Sequence, residues 1–472
     1  MWVRGRSRSD GWNSTSSYPI ITYPPQRAYP RSPFLRAVIS RLTASLVALC
    51  ILAACNRAAL APALVAYDAE ALYAQDFSGI LVVDLASGET LAERNADRLY
   101  TPASNVKLLT LATALAWLPA DSLPALAYRY DGDTLRLWAT AYPGLGDPRD
   151  AAAERIRRRL AAHAGPVEVN LHGYVDLPRF GSGWMWDDYP YAFARERSGL
   201  PVYGNLLRAW RDPVDSSWAA QPDFVVVRPR AYVEAGRSRR AEHANRFRVG
   251  ADTPPGDTIA QPLYAAADLA AQLLEDWTGR PIRYHNRALP ADWGSRVWAG
   301  RPRDELLRAM MLPSDNFLAE HLLLQAGLFH ADLTDERELR ERAQREALTL
   351  PDSALAWADG SGISHYNLVS PRALVEVVRR TFPLADTAFA KAVLPTGGRT
   401  GTLAKWYGGP RERPYVYAKT GTLRHNHALS GLLRARSGRW LAFSLMHNHY
   451  RGGSEAYKEA MSRTLAAIRD AY

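Results

Sequence analysis

Hydrophobic and polar positions divide the chain into stretches of different rhythm. Gly79-Ile80-Leu81-Val82-Val83-Asp84-Leu85 is an apolar run of strand length. Ala86-Ser87-Gly88-Glu89 carries turn residues and Thr90-Leu91-Ala92 begins a return, so Ser78 to Glu93 predicts a hairpin. Thr101-Pro102-Ala103 leads into a helix starting near Ser104. Leu108, Leu109, Leu111, Ala112, Leu115 and Trp117 make that helix apolar nearly all round, which predicts burial. Pro119 ends it. From 119 to 261 the rhythm shortens. Strand-like runs at Thr134 to Ala139, Val167 to Val175 and Phe224 to Val227 alternate with Gly, Pro and Asp, around one helical patch at 150–163. This reads as an inserted, mainly-β domain. Helical periods return at Leu263 to Trp277, Asp304 to Met311, beyond Ser314, and at Ala373 to Arg380. Strands follow at 415–423, 428–435 and 440–446, then a helix at 454–470. No internal repeat is present.

The first residues follow another pattern. Residues 1–34 are rich in Tyr, Pro, Ser and Arg without periodicity, which predicts disorder. Arg36 and Arg41 precede an apolar stretch from Leu42 to Ala54, too short to span a bilayer comfortably and built like a signal-peptide core. Leu52-Ala53-Ala54-Cys55 looks like a bacterial lipobox. The expectation is cleavage before Cys55, a lipid on Cys55, and a linker over 55–66. Asn56 after the cysteine points to the outer membrane. An ordinary signal peptide with a chance cysteine is the alternative. A signal so far from Met1 also predicts that translation begins at Leu35 or Val38.

Composition excludes several classes. Of 472 residues, 47% are hydrophobic and 22% charged, ordinary values for a globular protein. Cys50 and Cys55 are the only cysteines, so the body has no disulfide framework. The net charge of +10 favours an anionic partner, but no nucleic-acid motif is present. The run Arg155-Ile156-Arg157-Arg158-Arg159 reads as a solvated helix face. Basic residues are almost all arginine. Only Lys107, Lys391, Lys405, Lys419 and Lys458 are lysines, and two of them fall in the motifs below. An amine that must give up a proton cannot be replaced by guanidinium.

Three short strings carry the chemistry: Ser104-Asn105-Val106-Lys107, Ser314-Asp315-Asn316 and Lys419-Thr420-Gly421. In this order they form the S-x-x-K, S-D-N and K-T-G set of penicillin-recognising serine enzymes. Serine needs an adjacent base. Helical positions i and i+3 share a face, so Lys107 neighbours Ser104, and burial lowers the amine's pKa toward neutrality. Ser314 is expected to pass a proton to the leaving amine. Asn316 is expected to bond the substrate amide and hold Lys107. Gly421 leaves room for a backbone to approach, with substrate added as an extra strand. Thr420, Thr422 and Lys419 would hold a terminal carboxylate, and the N–H groups of Ser104 and Thr422 would form the oxyanion hole.

Two other patterns carry less. His425-Asn426-His427 and His447-Asn448-His449 have strand spacing for metal ligands but lack a carboxylate or cysteine partner, so loop histidines are expected. Asp187-Asp188, beside Trp184 and Trp186, reads as a turn rather than a glycosidase pair or a sugar platform, because adjacent residues do not face each other.

Through these three motifs the chain resembles the class C low-molecular-mass penicillin-binding proteins, the serine D-Ala-D-Ala carboxypeptidase/endopeptidases. The resemblance runs from about Ser78 to the C-terminus and is weakest in the insert. It also rests on Gly144-Leu145-Gly146-Asp147-Pro148, Asp359-Gly360-Ser361-Gly362-Ile363-Ser364, Leu394 to Leu403, and Ala428-Leu429-Ser430-Gly431. It implies an α/β (α+β) fold: a transpeptidase/β-lactamase-like domain, an antiparallel sheet flanked by helices, over 67–118 and 262–472, with the insert over 119–261. It implies hydrolysis of D-Ala-D-Ala termini or D-Ala cross-links of peptidoglycan through an acyl-enzyme at Ser104, acylation by β-lactams, and no metal or organic cofactor. Its expected partners are stem peptides and, through the lipid, a membrane. The insert looks short for the family. His365 stands where many members carry an arginine for the peptide side chain's carboxylate, and Arg424 is placed to compensate. Asp176 and Phe180 are expected to line the same pocket. An inactive peptidoglycan-binding lipoprotein and a serine β-lactamase are the competing readings.

Overall fold

The computed structural model describes residues 61–472 apart from positions 149, 267 and 409–412. The segment carrying Cys55 and the lipobox lies outside the described residues.

A five-stranded antiparallel sheet joins the two ends of the body. Its strands are β1 (Phe77–Asp84), β2 (Thr90–Arg94), β16 (Val416–Leu423), β17 (Asn426–Arg434) and β18 (Trp440–Asn448), in the order β16-β17-β18-β1-β2. The predicted hairpin thus pairs through β1 with the last strand, from Phe77 opposite Asn448 to Asp84 opposite Leu441. Alternation sorts the side chains by face. Ile80, Val82, Leu429, Leu433 and Phe443 pack with α1 (Ala61–Asp68) and the C-terminal helix α10 (Glu455–Ala471). Leu81, Val83, Leu432 and Met446 join the larger core on the other side.

That larger core is built on α2 (Lys107–Trp117). Eight of its residues are buried, so its all-round apolarity is used against several neighbours at once. It packs against α6 (Asn316–Ala331) and α8 (Pro371–Thr381). Ser104 itself sits in a 3-10 turn, Ala103–Val106, before the α-helix begins at Lys107. The helix therefore starts three residues later than the sequence pattern predicts. The tighter turn eclipses positions i and i+3 and brings Ser104 and Lys107 closer in register.

Between α2 and α6 lies the predicted mainly-β insertion. Strands β3 (Pro124–Asp131), β4 (Thr134–Trp138) and β5 (Val167–Asn170) form a mixed sheet in the order β12-β5-β4-β3-β13, backed by α3 (Ala151–Ala162) and α4 (Leu269–Thr278). Its outer strands, β12 (Arg283–His285) and β13 (Val297–Ala299), fall past residue 261. Two three-stranded sheets complete the region. One has the order β11-β6-β7, from β6 (Leu206–Arg211), β7 (Trp218–Gln221) and β11 (Thr258–Pro262). The other has the order β8-β10-β9, from β8 (Val226–Arg230), β9 (Ser238–Ala241) and β10 (Ala244–Gly250). The chain returns to the larger core through α5 (Arg303–Met311), α6, α7 (Glu336–Glu346), the short strands β14 (Leu355–Ala356) and β15 (Leu368–Val369), α8 and α9 (Thr387–Val393). Among the described residues no helix is long and apolar enough to cross a membrane.

Candidate active site

The three motifs meet where α2, the start of α6 and the edge strand β16 converge. Lys107 is fully buried, and its Nζ donates to Ser104 Oγ at 3.0 Å, Asn316 Oδ1 at 2.6 Å and the Ser361 carbonyl at 2.6 Å. All three of its donor positions are used. Burial lowers the amine to about pKa 8, outweighing the opposing pull of Asp359, Glu320 and Asp315. An amine in that range, 3.0 Å from a hydroxyl, is a base for it.

The second motif turns sharply. Ser314 has a left-handed backbone, φ 64°, and Asp315 caps α6 by accepting from the Leu318 N–H at 2.9 Å. The helix therefore begins at Asn316, and Ser314 stands outside it. Asn316 is held from two sides: Oδ1 faces Lys107, and Nδ2 donates to the Phe193 carbonyl at 2.9 Å. Arg195 pairs with Asp315 at 2.6 Å and lies over the Phe317 ring. The inserted region thus braces the second motif directly.

The third motif occupies β16, whose outer edge is paired by Pro395–Gly397 only along Val416–Ala418. Lys419 is fully buried, and its Nζ donates to the Thr420 carbonyl at 2.7 Å. Burial, reinforced by Lys107, holds its pKa well below the usual lysine value. Thr420 Oγ1 bonds Thr402 Oγ1 at 2.8 Å, and the Thr402 N–H bonds the Leu312 carbonyl at 3.2 Å. That link ties the second motif to the third. Gly421 has a use the sequence did not show. A Cβ there would lie 2.2 Å from the Pro102 carbonyl and 2.8 Å from Asn105 Nδ2. The backbone that needs the room is the loop carrying Ser104. Thr422 is exposed, with its Oγ1 2.8 Å from His427 Nδ1.

Sequence pointed to the Asp359 loop but not to the groups packed around it. Asp359, fully buried, accepts from the N–H groups of Gly362 (2.7 Å) and Ser364 (2.8 Å), from Asn367 Nδ2 (2.7 Å) and from Trp184 Nε1 (2.8 Å). This cage shapes the loop whose Ser361 carbonyl holds Lys107. Glu320 accepts from the Ser361 N–H at 2.7 Å, and burial pushes its carboxyl up to about 7. Arg197, buried, pairs with Glu320 and Glu336, donates to the Pro178 and Phe180 carbonyls, and lies over Trp184. The Asp359-Gly360-Ser361 string was visible in sequence. Glu320 on α6 and, from the insert, Trp184 and Arg197 were not.

The remaining expected positions divide. Phe180 packs edge-on against Trp184, beside the Asp359 loop. The His365 N–H donates to Gly183 at 3.3 Å, and its ring is close enough to Asp188 to oppose the rise that burial and Asp187 impose on that carboxyl. Arg424 is exposed in the turn from β16 to β17. Asp176 is exposed, and its charge acts on the Tyr284 hydroxyl of β12. The same turn is tied by His172 to Asp332 at the far end of α6. The structure does not bring Asp176 to the three motifs. His427 and His447 are buried, with His447 facing Asp76 at 3.2 Å. Among the described residues no group of three or more ligating side chains is placed to hold a metal ion.

A family model described as the D-Ala-D-Ala carboxypeptidase 3 (S13) family matches residues 64–246 and 297–468. The chain is 29% identical to a D-alanyl-D-alanine carboxypeptidase of Actinomadura sp. (strain R39), over 82% of this chain and 81% of that one. It is 28% identical to the D-alanyl-D-alanine carboxypeptidase DacB of Haemophilus influenzae, over 84% and 90%. Its fold is similar to the crystal structure of penicillin binding protein 4 from Haemophilus influenzae, with a TM-score of 0.66, 19% identity, and coverage of 83% and 95%.

Proposed function

The chain belongs to the D-Ala-D-Ala carboxypeptidase 3 (S13) family and is a serine DD-peptidase acting on peptidoglycan; from that premise we propose that Ser104 is its nucleophile and Lys107 the base that activates it. The observation that carries the assignment is the 3.0 Å contact between Ser104 Oγ and a buried amine lowered to about pKa 8.

Lys107 takes the Ser104 proton as Oγ attacks the carbonyl of the penultimate D-Ala. The oxyanion forms against the N–H groups of Ser104 and Thr422. As the peptide bond breaks, Ser314 gives its proton to the departing amine and is resupplied from Lys107 through the site. Water then attacks the Ser104 ester and loses a proton to Lys107, which passes it to Ser104 Oγ as the ester bond breaks and the shortened stem leaves. Thr420, Thr422 and the Lys419 end of β16 receive the terminal carboxylate. Penicillins acylate Ser104 by the same first half. His365 and Phe180 line the side-chain end of the cleft, with Arg424 at its rim. The Leu52-Ala53-Ala54-Cys55 run supports a lipid on Cys55 and an envelope location, and Asn56 after it supports the outer membrane.

Intact-protein mass measurement after exposure to a penicillin tests the nucleophile. One covalent equivalent on the wild type, absent in Ser104→Ala, is the expected result. A folded wild type that takes no adduct would sink the assignment.

A further inference from the structure

Beside the catalytic cleft the inserted region encloses a cavity of about 920 Å³, lined by seven arginines and a single acidic residue, Glu234. Register explains the concentration. Arg248 on β10 stands opposite Arg228 on β8 and opposite Arg239 on β9. Arg246 and Arg230 lie two positions along on the same face, while Phe247 and Val249 are buried on the other. Like charges directly opposite one another on a sheet repel. Arg237 has Glu234 at 3.6 Å and Arg240 has Glu196 at 2.6 Å. Among the described residues no carboxylate pairs with Arg228, Arg239, Arg246 or Arg248. A concave wall of uncompensated guanidinium groups focuses positive potential and matches planar oxyanions two bonds at a time.

The cavity also adjoins the chemistry. Its lining also takes in Tyr189, Pro190, Tyr191 and Ala192. The next residue is Phe193, whose carbonyl orients Asn316. Arg240 lies over the Tyr189 ring, fixing the sheet to that segment. Arg240 stands opposite Phe247, so this contact is made through the buried face and leaves the arginine row on the exposed face of the same sheet, open to anionic groups of a polymer that has one stem in the cleft.

We propose that the arginine face of β8, β9 and β10 docks carboxylates of neighbouring stem peptides on polymeric peptidoglycan while one stem is cut at Ser104. The proposal rests on the DD-peptidase reading. A concave site favours a chain over a flat lipid surface.

The test compares polymeric peptidoglycan with a short soluble D-Ala-D-Ala peptide, for wild type and for Arg239→Glu with Arg248→Glu. The expected result is KM for the polymer raised about tenfold or more, with loss of its salt dependence. Short-peptide turnover and penicillin acylation stay as in wild type. Arg239→Lys with Arg248→Lys should retain most of the polymer preference, because charge is kept. Equal loss on both substrates, or no change on either, overturns the docking site. Loss of binding to phosphatidylglycerol vesicles without loss on the polymer overturns it in favour of a membrane surface. A wild type inactive on the short peptide is a different failure, that of the peptidase reading itself.

Discussion

The Phe193 carbonyl accepts a 2.9 Å hydrogen bond from Nδ2 of Asn316. That bond fixes which way the amide faces, so that Oδ1 points at Lys107. Asn316→Asp removes the donor and sets a negative charge 2.6 Å from the amine. An opposite charge favours the ammonium form. The pH of half-maximal penicillin acylation should rise by about 1 unit or more, with at least about a tenfold loss at neutral pH. Asn316→Ala should lose rate without that rise. Acylation rates measured from pH 6 to 10 distinguish the two, and an unshifted Asn316→Asp profile would contradict the geometry.

Lys107 acts as a base only when neutral, so wild-type acylation should climb as pH rises through about 8 and then level off. Lys107→Arg keeps the charge but cannot shed the proton. Acylation should fall by roughly 10²–10⁴-fold while the fold persists. Burial also gives this group a signed effect on stability. Its folded pKa lies below the unfolded value, so the unfolded chain binds the extra proton between about 8 and 10.5, and this contribution to stability increases with pH across that window.

Asp359→Asn should act in the opposite sense from Asn316→Asp. The caged carboxylate accepts four N–H groups at 2.7–2.8 Å. An amide turns one acceptor into a donor facing donors. About 2–4 kcal/mol of stability should be lost. Removing the negative charge also takes away an attraction that raises the Lys107 pKa, so residual acylation should extend to lower pH. Thermal unfolding and a pH profile read the two effects separately.

Gly421→Ala places a methyl 2.2 Å from the Pro102 carbonyl, a backbone atom with little freedom to move. The expected cost is about 1–3 kcal/mol, with acylation reduced more strongly than stability, because the atom displaced belongs to the loop carrying Ser104. Normal acylation by a folded Gly421→Ala protein would show that β16 and this loop can separate freely.

His427, lowered to about pKa 3 by burial, is neutral at physiological pH. Among the described residues its Nε2 has no partner, while Nδ1 meets Thr422 Oγ1. A proton is best placed on Nδ1, because an orphaned N–H costs more than an orphaned lone pair. Thr422 then keeps its own proton for the substrate carboxylate. His427→Phe should raise KM for carboxylate-terminated peptides about three- to tenfold with kcat nearly unchanged, and should leave amide-capped analogues unaffected.

Local features were legible because their physics is local. The hairpin at 78–93, the buried helix after Ser104 and the last three strands appear within a few residues of where their patterns predict them. The Ser104–Lys107 pair was visible for the same reason, since three-residue spacing needs only one helical turn. The helix start was misplaced because a 3-10 turn and an α-turn share that spacing. The insert's sheet was cut short at 261 because β12 and β13 are three residues each, below what alternation resolves. Asp176 was expected to line the pocket of His365 and Arg424; it is exposed, in a turn that His172 ties to Asp332 at the far end of α6.

The sequence by itself determined the pairing of Ser104 with Lys107, the order of the motifs, the core strands and the helix that buries Lys107. Each follows from residue type and short-range period. Tertiary structure alone decided what surrounds them: the Trp184–Asp359–Ser361 chain behind Lys107, the Phe193 carbonyl behind Asn316, the loop pressed on Gly421, and the arginine row across β8, β10 and β9. Those groups are far apart in the chain, or share a face only through strand register. Their placement is a consequence of packing, which no local pattern encodes.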